Sequence, residues 1–171
     1  DANTGWESYP TAADVIAALA DRSQIEYFEQ PVAPSRLSDL KKLWEDTGIP
    51  VYADEAVHDA ADVERLGQDG LVRGCHLKLA KTGSLRTMAD MARTASRHGL
   101  NATAVSAFGT SLEASAILQL AAVMPAIPSA CELDPGLLAE DPTDKPITVG
   151  PETPVPDGPG LGVALADDVF E

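Results

Sequence analysis

The feature that most limits the fold is a charged residue closing each of several short apolar runs, repeated at a near-constant interval. Ile25-Glu26-Tyr27-Phe28-Glu29 and Pro50-Val51-Tyr52-Ala53-Asp54 each read as a strand ending in a carboxylate. Gly74-Cys75-His76-Leu77-Lys78-Leu79 is a third such run, and Asp1-Ala2-Asn3 has the look of a strand end with no strand before it. The successive intervals Asp1 to Glu29, Glu29 to Asp54 and Asp54 to Lys78 are 28, 25 and 24 residues. Each is about the length of one strand and its return helix. One charged group per strand end at a βα period is how a parallel barrel builds a site on its C-terminal face.

The segments between these runs read as helices. Thr11 to Ala20 has Thr11 as N-cap and Asp14 three residues on, a variant capping box. Ser35 can cap a helix with Leu37, Leu40, Leu43 and Trp44 on one face, ended by Gly48. Asp59 caps a helix through Val63 and Leu66, and a helix from Ser84 to Arg97 closes with His98-Gly99. Strands are expected at Ile25 to Gln30, Pro50 to Ala53, Cys75 to Ala80, Ala102 to Ala107 and Ala130 to Leu133. A helix through Glu113, Ile117, Leu120 and Val123 lies between the last two and is stopped by Pro125 and Pro128. From Pro135 the chain is proline-rich, and it is expected to wrap the domain as irregular structure with a short hairpin.

Alternating strands and helices mean an α/β fold with a parallel sheet. No Gly-x-Gly-x-x-Gly follows a strand and no phosphate-loop pattern occurs, so a nucleotide-binding open sheet has no support. With 27 acidic against 12 basic residues the net charge is −15, which argues against nucleic acid and anionic membranes. No run approaches a membrane span. Cys75 and Cys131 imply no disulfide framework, and a cytoplasmic location is expected.

Asp1-Ala2-Asn3, Glu29-Gln30-Pro31, Ala53-Asp54-Glu55 and Leu77-Lys78-Leu79-Ala80-Lys81-Thr82-Gly83, in this order and at these intervals, resemble the enolase superfamily. Within it they resemble the muconate-lactonizing-enzyme subgroup of the mandelate racemase/muconate lactonizing enzyme family. The resemblance runs to Pro159-Gly160-Leu161-Gly162. It implies the C-terminal portion of a modified TIM barrel, (β/α)7β. Residues 1–134 would be a partial barrel from the third strand onward, and residues 135–171 a segment packed on it. The N-terminal capping domain, the first strands and a strand bearing Lys-x-Lys would belong to another part of the same protein. A lysine or histidine base working beside Mg²⁺ is the family's chemistry and comes with the resemblance.

The residues agree with it. Asp1, Glu29 and Asp54 would bring three carboxylates from neighbouring strand ends, and like charges so placed repel unless a cation sits between them. Hard oxygen ligands with open positions suit Mg²⁺, with Mn²⁺ as the alternative, whereas zinc would want His or Cys, which no spacing in the sequence supplies. The bland reading of such acids is helix caps and loop solvation. Asn3, Gln30 and Glu55 are expected to orient the ligands. Lys78 and Lys81 compete for the role of base. Lys78, in an apolar strand, is favoured, because a lysine near a metal and partly desolvated can have its pKa lowered towards working pH, while Lys81 falls in the loop. His76 is expected to be a packed core histidine, and His98 a helix-end residue.

The late strands would set the substrate. Ser106 takes the place of a glutamate that ends the seventh strand in many relatives, which weakens a simple transfer of cycloisomerase activity. Cys131-Glu132-Leu133-Asp134 resembles the Asp-x-Asp of dipeptide epimerases, which holds a substrate ammonium; loop solvation is the competing reading of Glu132 and Asp134. The expected partners are a small-molecule carboxylate substrate, the N-terminal portion of the same protein, and further copies in a homo-oligomer. Three functions stay open: a metal-dependent racemase, epimerase or cycloisomerase, an acid dehydratase on the same scaffold, and a non-catalytic barrel remnant with an assembly role.

Overall fold

The computed structural model describes residues 1–19, 24–127 and 131–169. Four strands form one sheet in sequence order: β1 (Phe28–Glu29), β2 (Val51–Ala53), β3 (Gly74–Lys78) and β4 (Asn101–Val105). All pair in parallel, with Glu29 beside Tyr52, Tyr52 beside Gly74, and Lys78 beside Val105. Both flanks carry the arrangement further. On one, residues 1–6 run beside β1, through Thr4 N–H to Gln30 O at 2.8 Å and a parallel bridge from Trp6 to Val32. On the other, Glu132 bridges Val105 in parallel.

Among the described residues six α-helices connect and cover the strands: α1 (Tyr9–Ala18), α2 (Leu37–Thr47), α3 (Ala60–Gln68), α4 (Leu79–Thr82), α5 (Leu85–Arg97) and α6 (Ser111–Val123). Their ends follow local chemistry. Asp59 Oδ1 accepts from Ala61 N and Asp62 N at the start of α3, and Ser84 Oγ accepts from Thr87 N at the start of α5. Gly48, at φ 71°, supplies the left-handed residue that ends α2.

Strand periodicity divides the sheet into two faces. Val51, Ala53, Cys75, Leu77, Ala102 and Ala104 belong to one buried cluster with Leu40, Leu43, Val63, Leu66, Met88, Met91 and Ile117 of the helices. Tyr52, Asp54, His76 and Lys78 alternate with the first group and therefore face the other way. Gly74 is required there, because a Cβ would lie 2.6 Å from the Tyr52 ring. The apolar face makes the core, and the opposite face is left to polar chemistry.

The proline-rich segment packs on α6. Ile147 N donates to Ser111 Oγ at 2.8 Å, and Gln119 Nε2 to Pro156 O at 2.5 Å. Asp141 Oδ2 accepts from Ser111 N at 2.7 Å, capping a helix that its own N-cap residue leaves uncapped. The ends of the segment close on each other through an antiparallel bridge from Thr143 to Leu165.

Several sequence expectations are corrected. The first helix starts at Tyr9, not Thr11, because Pro10 is pre-set for a first turn; its expected end at Ala20 lies outside the described residues. The strand expected from Ile25 to Gln30 is only Phe28–Glu29, and Gln30 leaves it at φ 30°. A 3₁₀ turn at Pro34–Arg36 precedes α2, so Ser35 is not its cap. β3 stops at Lys78, and the chain turns at once into the single turn of α4, ended by Gly83 at φ 69°. β4 ends at Val105, short of Ala107. Pro128 and Ala130 also lie outside the described residues.

Candidate active site

The C-terminal ends of β1, β2 and β3 set Glu29, Asp54 and Lys78 side by side. Asp54 is the hub. Lys78 Nζ lies 2.5 Å from its Oδ2, and Lys81 Nζ lies 2.5 Å from Oδ1 and 2.7 Å from its backbone oxygen. Asp54 is only 4% exposed. Burial pushes its pKa up, but the hydrogen bonds from Lys78 and Lys81 outweigh that and hold it below the usual carboxylate range. Burial works against the Lys78 ammonium too, yet its hydrogen bond to Asp54 and the nearby charges of Asp54, Glu29 and Glu55 raise its pKa.

With no cation beside it, the facing carboxylates outweigh the desolvation that would lower the Lys78 pKa. Lys81 is not a loop residue set apart from the site. The turn of α4 brings it back to the other oxygen of the same carboxylate.

Gln30 is fully buried and fixes this arrangement. Its Oε1 accepts from Asp54 N at 2.9 Å and Ala56 N at 3.2 Å, and its Nε2 donates to Val32 O at 2.9 Å. Glu55 lies near enough to act on Lys78 and keeps a buried Oε2 with no hydrogen-bond partner. Asp1 is exposed, and its carboxylate accepts from Asn3 N at 2.7 Å and from the Asn3 side chain. Asn3 and Thr4 both have positive φ, and Ala2 N reaches Glu29 O at 3.3 Å, which ties this end to β1.

Glu29 and Asp54 thus stand at neighbouring strand ends, and Asp1 lies in the segment beside β1, but the three carboxylates are not gathered into one cluster. Among the described residues, the group whose ligand atoms all lie within 4.8 Å of one another is Glu29, His76 and Glu132. His76 Nδ1 is 2.9 Å from Glu29 Oε1, and Nε2 is 3.8 Å from Glu132 Oε1. Neither contact is aligned as a hydrogen bond. Tyr27 donates to Glu132 Oε1 at 2.6 Å and stacks on Tyr52 with ring centroids 4.1 Å apart. His76 stands edge-on to both rings. Burial and the Glu132 hydrogen bond raise the Tyr27 pKa, keeping it a neutral donor.

Ser106 is buried, and its hydroxyl accepts from Asp134 N at 2.8 Å and lies 3.5 Å from Asp134 Oδ2. Ser106 and Asp134 therefore hold each other at the last strand end. Glu132, its side chain 42% exposed, opens towards solvent.

Tyr27 and Tyr52 were missed in the sequence, though a signal was there. Tyr27, Tyr52 and His76 each stand two residues before the charged strand end, on the same face of the strand. His98 behaves as a helix-end residue, with Nε2 3.1 Å from Glu64 Oε1.

Comparison with known proteins agrees with this architecture. Residues 1–169 match the family "Enolase C-terminal domain-like". A chloromuconate cycloisomerase of Pseudomonas putida is 30% identical over 170 residues, covering 98% of this chain and 45% of that protein. The L-Ala-D/L-Glu epimerase of Bacillus subtilis superposes with a TM-score of 0.87 at 30% identity, over 97% of this chain and 47% of that one. The dipeptide epimerase of Cytophaga hutchinsonii, solved with Mg and the dipeptide D-Ala-L-Val, gives 0.86 at 27% identity, over 98% and 46%. The chain thus spans about half the length of the relatives it matches, which are isomerases. A parallel sheet with charged strand ends, matched along almost its whole length, places this chain in the enolase superfamily, as the C-terminal barrel portion of the mandelate racemase/muconate lactonizing enzyme family.

Proposed function

We propose that this chain carries the proton-abstracting face of a Mg²⁺-dependent isomerase that acts on the carbon α to a substrate carboxylate. The observation that carries the reading is the Asp54 hub, with Lys78 on one carboxylate oxygen and Lys81 on the other.

The donor set fits a hard divalent cation. Asp1, Glu29 and Asp54 offer oxygen only, and Glu55, next to Asp54 in sequence, keeps a buried Oε2 without a hydrogen-bond partner. These three would hold the ion, with Asn3, Gln30 and Glu55 orienting them. When bound, Mg²⁺ supplies positive charge where the substrate carboxylate gains electron density during proton removal.

The chain's own residues do the rest. Lys78 Nζ points from the strand end to the polar face and carries the proton. Paired with Asp54 it is an ammonium, able to give a proton to one face of the α-carbon. To accept one it must first be neutral, so the Asp54 charge has to be engaged elsewhere when Lys78 acts as base. Lys81 holds Asp54 in place through its carboxylate and its backbone oxygen. Gln30 fixes the same segment. Glu132 and Asp134, at the mouth of the site, suit a substrate with a cationic group, as in an amino acid or dipeptide, and Ser106 positions Asp134. This favours epimerisation over cycloisomerisation. The opposing lysine comes from the N-terminal portion of the protein.

The test is exchange of the α-hydrogen in D₂O, followed by NMR on a panel of dipeptides, N-acyl amino acids, muconates and 2,3-dihydroxy acids with the full-length protein. Mg²⁺-dependent exchange without net loss of substrate is expected on a dipeptide or amino-acid carboxylate. Formation of a keto acid would make the enzyme a dehydratase, and no exchange on any carboxylate would leave the assembly role.

A further inference from the structure

His76 is a fully buried imidazole with two nitrogens and no hydrogen bond to either. A buried polar group without a partner costs about 1–3 kcal/mol, and both nitrogens here face carboxylates rather than apolar side chains, which a cation among them would satisfy. The surroundings are anionic. Glu29 Oε1 stands against Nδ1 and Glu132 Oε1 against Nε2, at 2.9 and 3.8 Å. Glu132 is oriented by Tyr27, as an outer partner orients a ligand. One imidazole nitrogen and two carboxylate oxygens within 4.8 Å of one another form a mixed nitrogen and oxygen donor set. Such a set suits a borderline divalent ion, zinc foremost, rather than magnesium.

We infer that Glu29, His76 and Glu132 form a second cation site, selective for Zn²⁺ and similar transition metals. Because Glu29 also belongs to the proposed Mg²⁺ set, the two sites share one ligand, and their ions compete for its charge. Excess Zn²⁺ therefore weakens Mg²⁺ binding and acts as an inhibitor built on the barrel face. The site rests on the proposed Mg²⁺ reading only for this antagonism; zinc binding itself does not require it.

The test is Zn²⁺ titration by calorimetry on the full-length protein freed of metal by chelator, with Co²⁺ as a visible-absorption probe of nitrogen ligation. One high-affinity Zn²⁺ is expected, with a Co²⁺ spectrum that His76→Asn removes. His76→Asn and Glu132→Gln should each weaken Zn²⁺ by at least about 10-fold, the scale on which even an outer-shell partner matters. Glu132→Gln, at a half-exposed position, covers the case in which His76→Asn fails to fold. It should leave Mg²⁺ affinity within about 2-fold, well below the roughly 10-fold cost of losing a metal partner. Asp54→Asn should do the reverse, weakening Mg²⁺ and sparing Zn²⁺, so failure of one site is distinguishable from failure of the other. Absence of a tight Zn²⁺, or a Zn²⁺ affinity unchanged in both Glu132→Gln and His76→Asn, overturns the assignment.

Discussion

Two charged clusters share one face of the sheet and are satisfied in opposite ways. Around Asp54, each carboxylate oxygen meets an ammonium at 2.5 Å, and Gln30 ties down the backbone that carries it. Around His76, carboxylates approach from two sides, yet no hydrogen bond forms to the ring. The first cluster is a closed network whose parts depend on one another. The second is an open donor set. A closed network is costly to break, because removing one partner strands the others. An open set loses little when one member is neutralised.

Stability separates the two most sharply. Asp54→Ala leaves two part-buried lysines facing each other and should cost about 3 kcal/mol, the low end for breaking a buried pair. Chemical denaturation without metal measures it, and a loss below about 1 kcal/mol would show the network to be no more than a surface pair. Metal binding gives a somewhat smaller effect. Mg²⁺ at 100 times its dissociation constant should stabilise the native protein by about 2.7 kcal/mol, read as a rise in melting temperature. Asp54→Asn should remove most of that rise, and an unchanged rise would remove Asp54 from the ligand set.

The pH dependence sharpens the contrast further. Asp54 is held below its ordinary 3.8 and Lys78 above its ordinary 10.5. Their contribution is therefore full between those values. It fades as pH falls below 3.8 through the folded pKa of Asp54, and again as pH rises past 10.5 through that of Lys78. In chelator, Asp54→Asn should flatten both slopes of the stability profile; a persistent acid slope of the same size would assign it to other carboxylates. The smallest effect belongs to the open cluster. Glu29→Gln should change stability by less than about 1 kcal/mol, since it removes no aligned hydrogen bond. A loss as large as that of Asp54→Ala would erase the distinction.

The closed cluster was partly legible in the sequence. Its Asp54 and Lys78, like Glu29 of the open cluster, stand at strand ends at a βα interval, and a period of two places them on one face. The apolar alternation Val51-x-Ala53, Cys75-x-Leu77 and Ala102-x-Ala104 likewise marks the core face. Lys81 was hidden because the strand, read as running to Ala80, leaves it in a loop, whereas β3 ends at Lys78. Gly83 permits the left-handed end of a single helical turn, and that turn folds Lys81 back to Asp54. The His76 cluster was hidden for another reason. Its three members lie on three different strand segments, so only the parallel register brings them together. Gln30 is of the same kind, since its contacts to Asp54 and Ala56 cross from β1 to β2.

The central claim is that Lys78, and not its neighbour on the same carboxylate, moves the α-proton. Exchange of the α-hydrogen in D₂O, resolved by face and compared among wild type, Lys78→Ala and Lys81→Ala at saturating Mg²⁺, tests it directly. Lys78→Ala should lose exchange from one face by about 10³-fold or more, the scale of a missing general base. Lys81→Ala, which only loosens Asp54, should lose about 10-fold, within the range that a displaced outer partner costs. Equal exchange in the Lys78→Ala variant and wild type, or a larger loss in Lys81→Ala, would contradict the assignment.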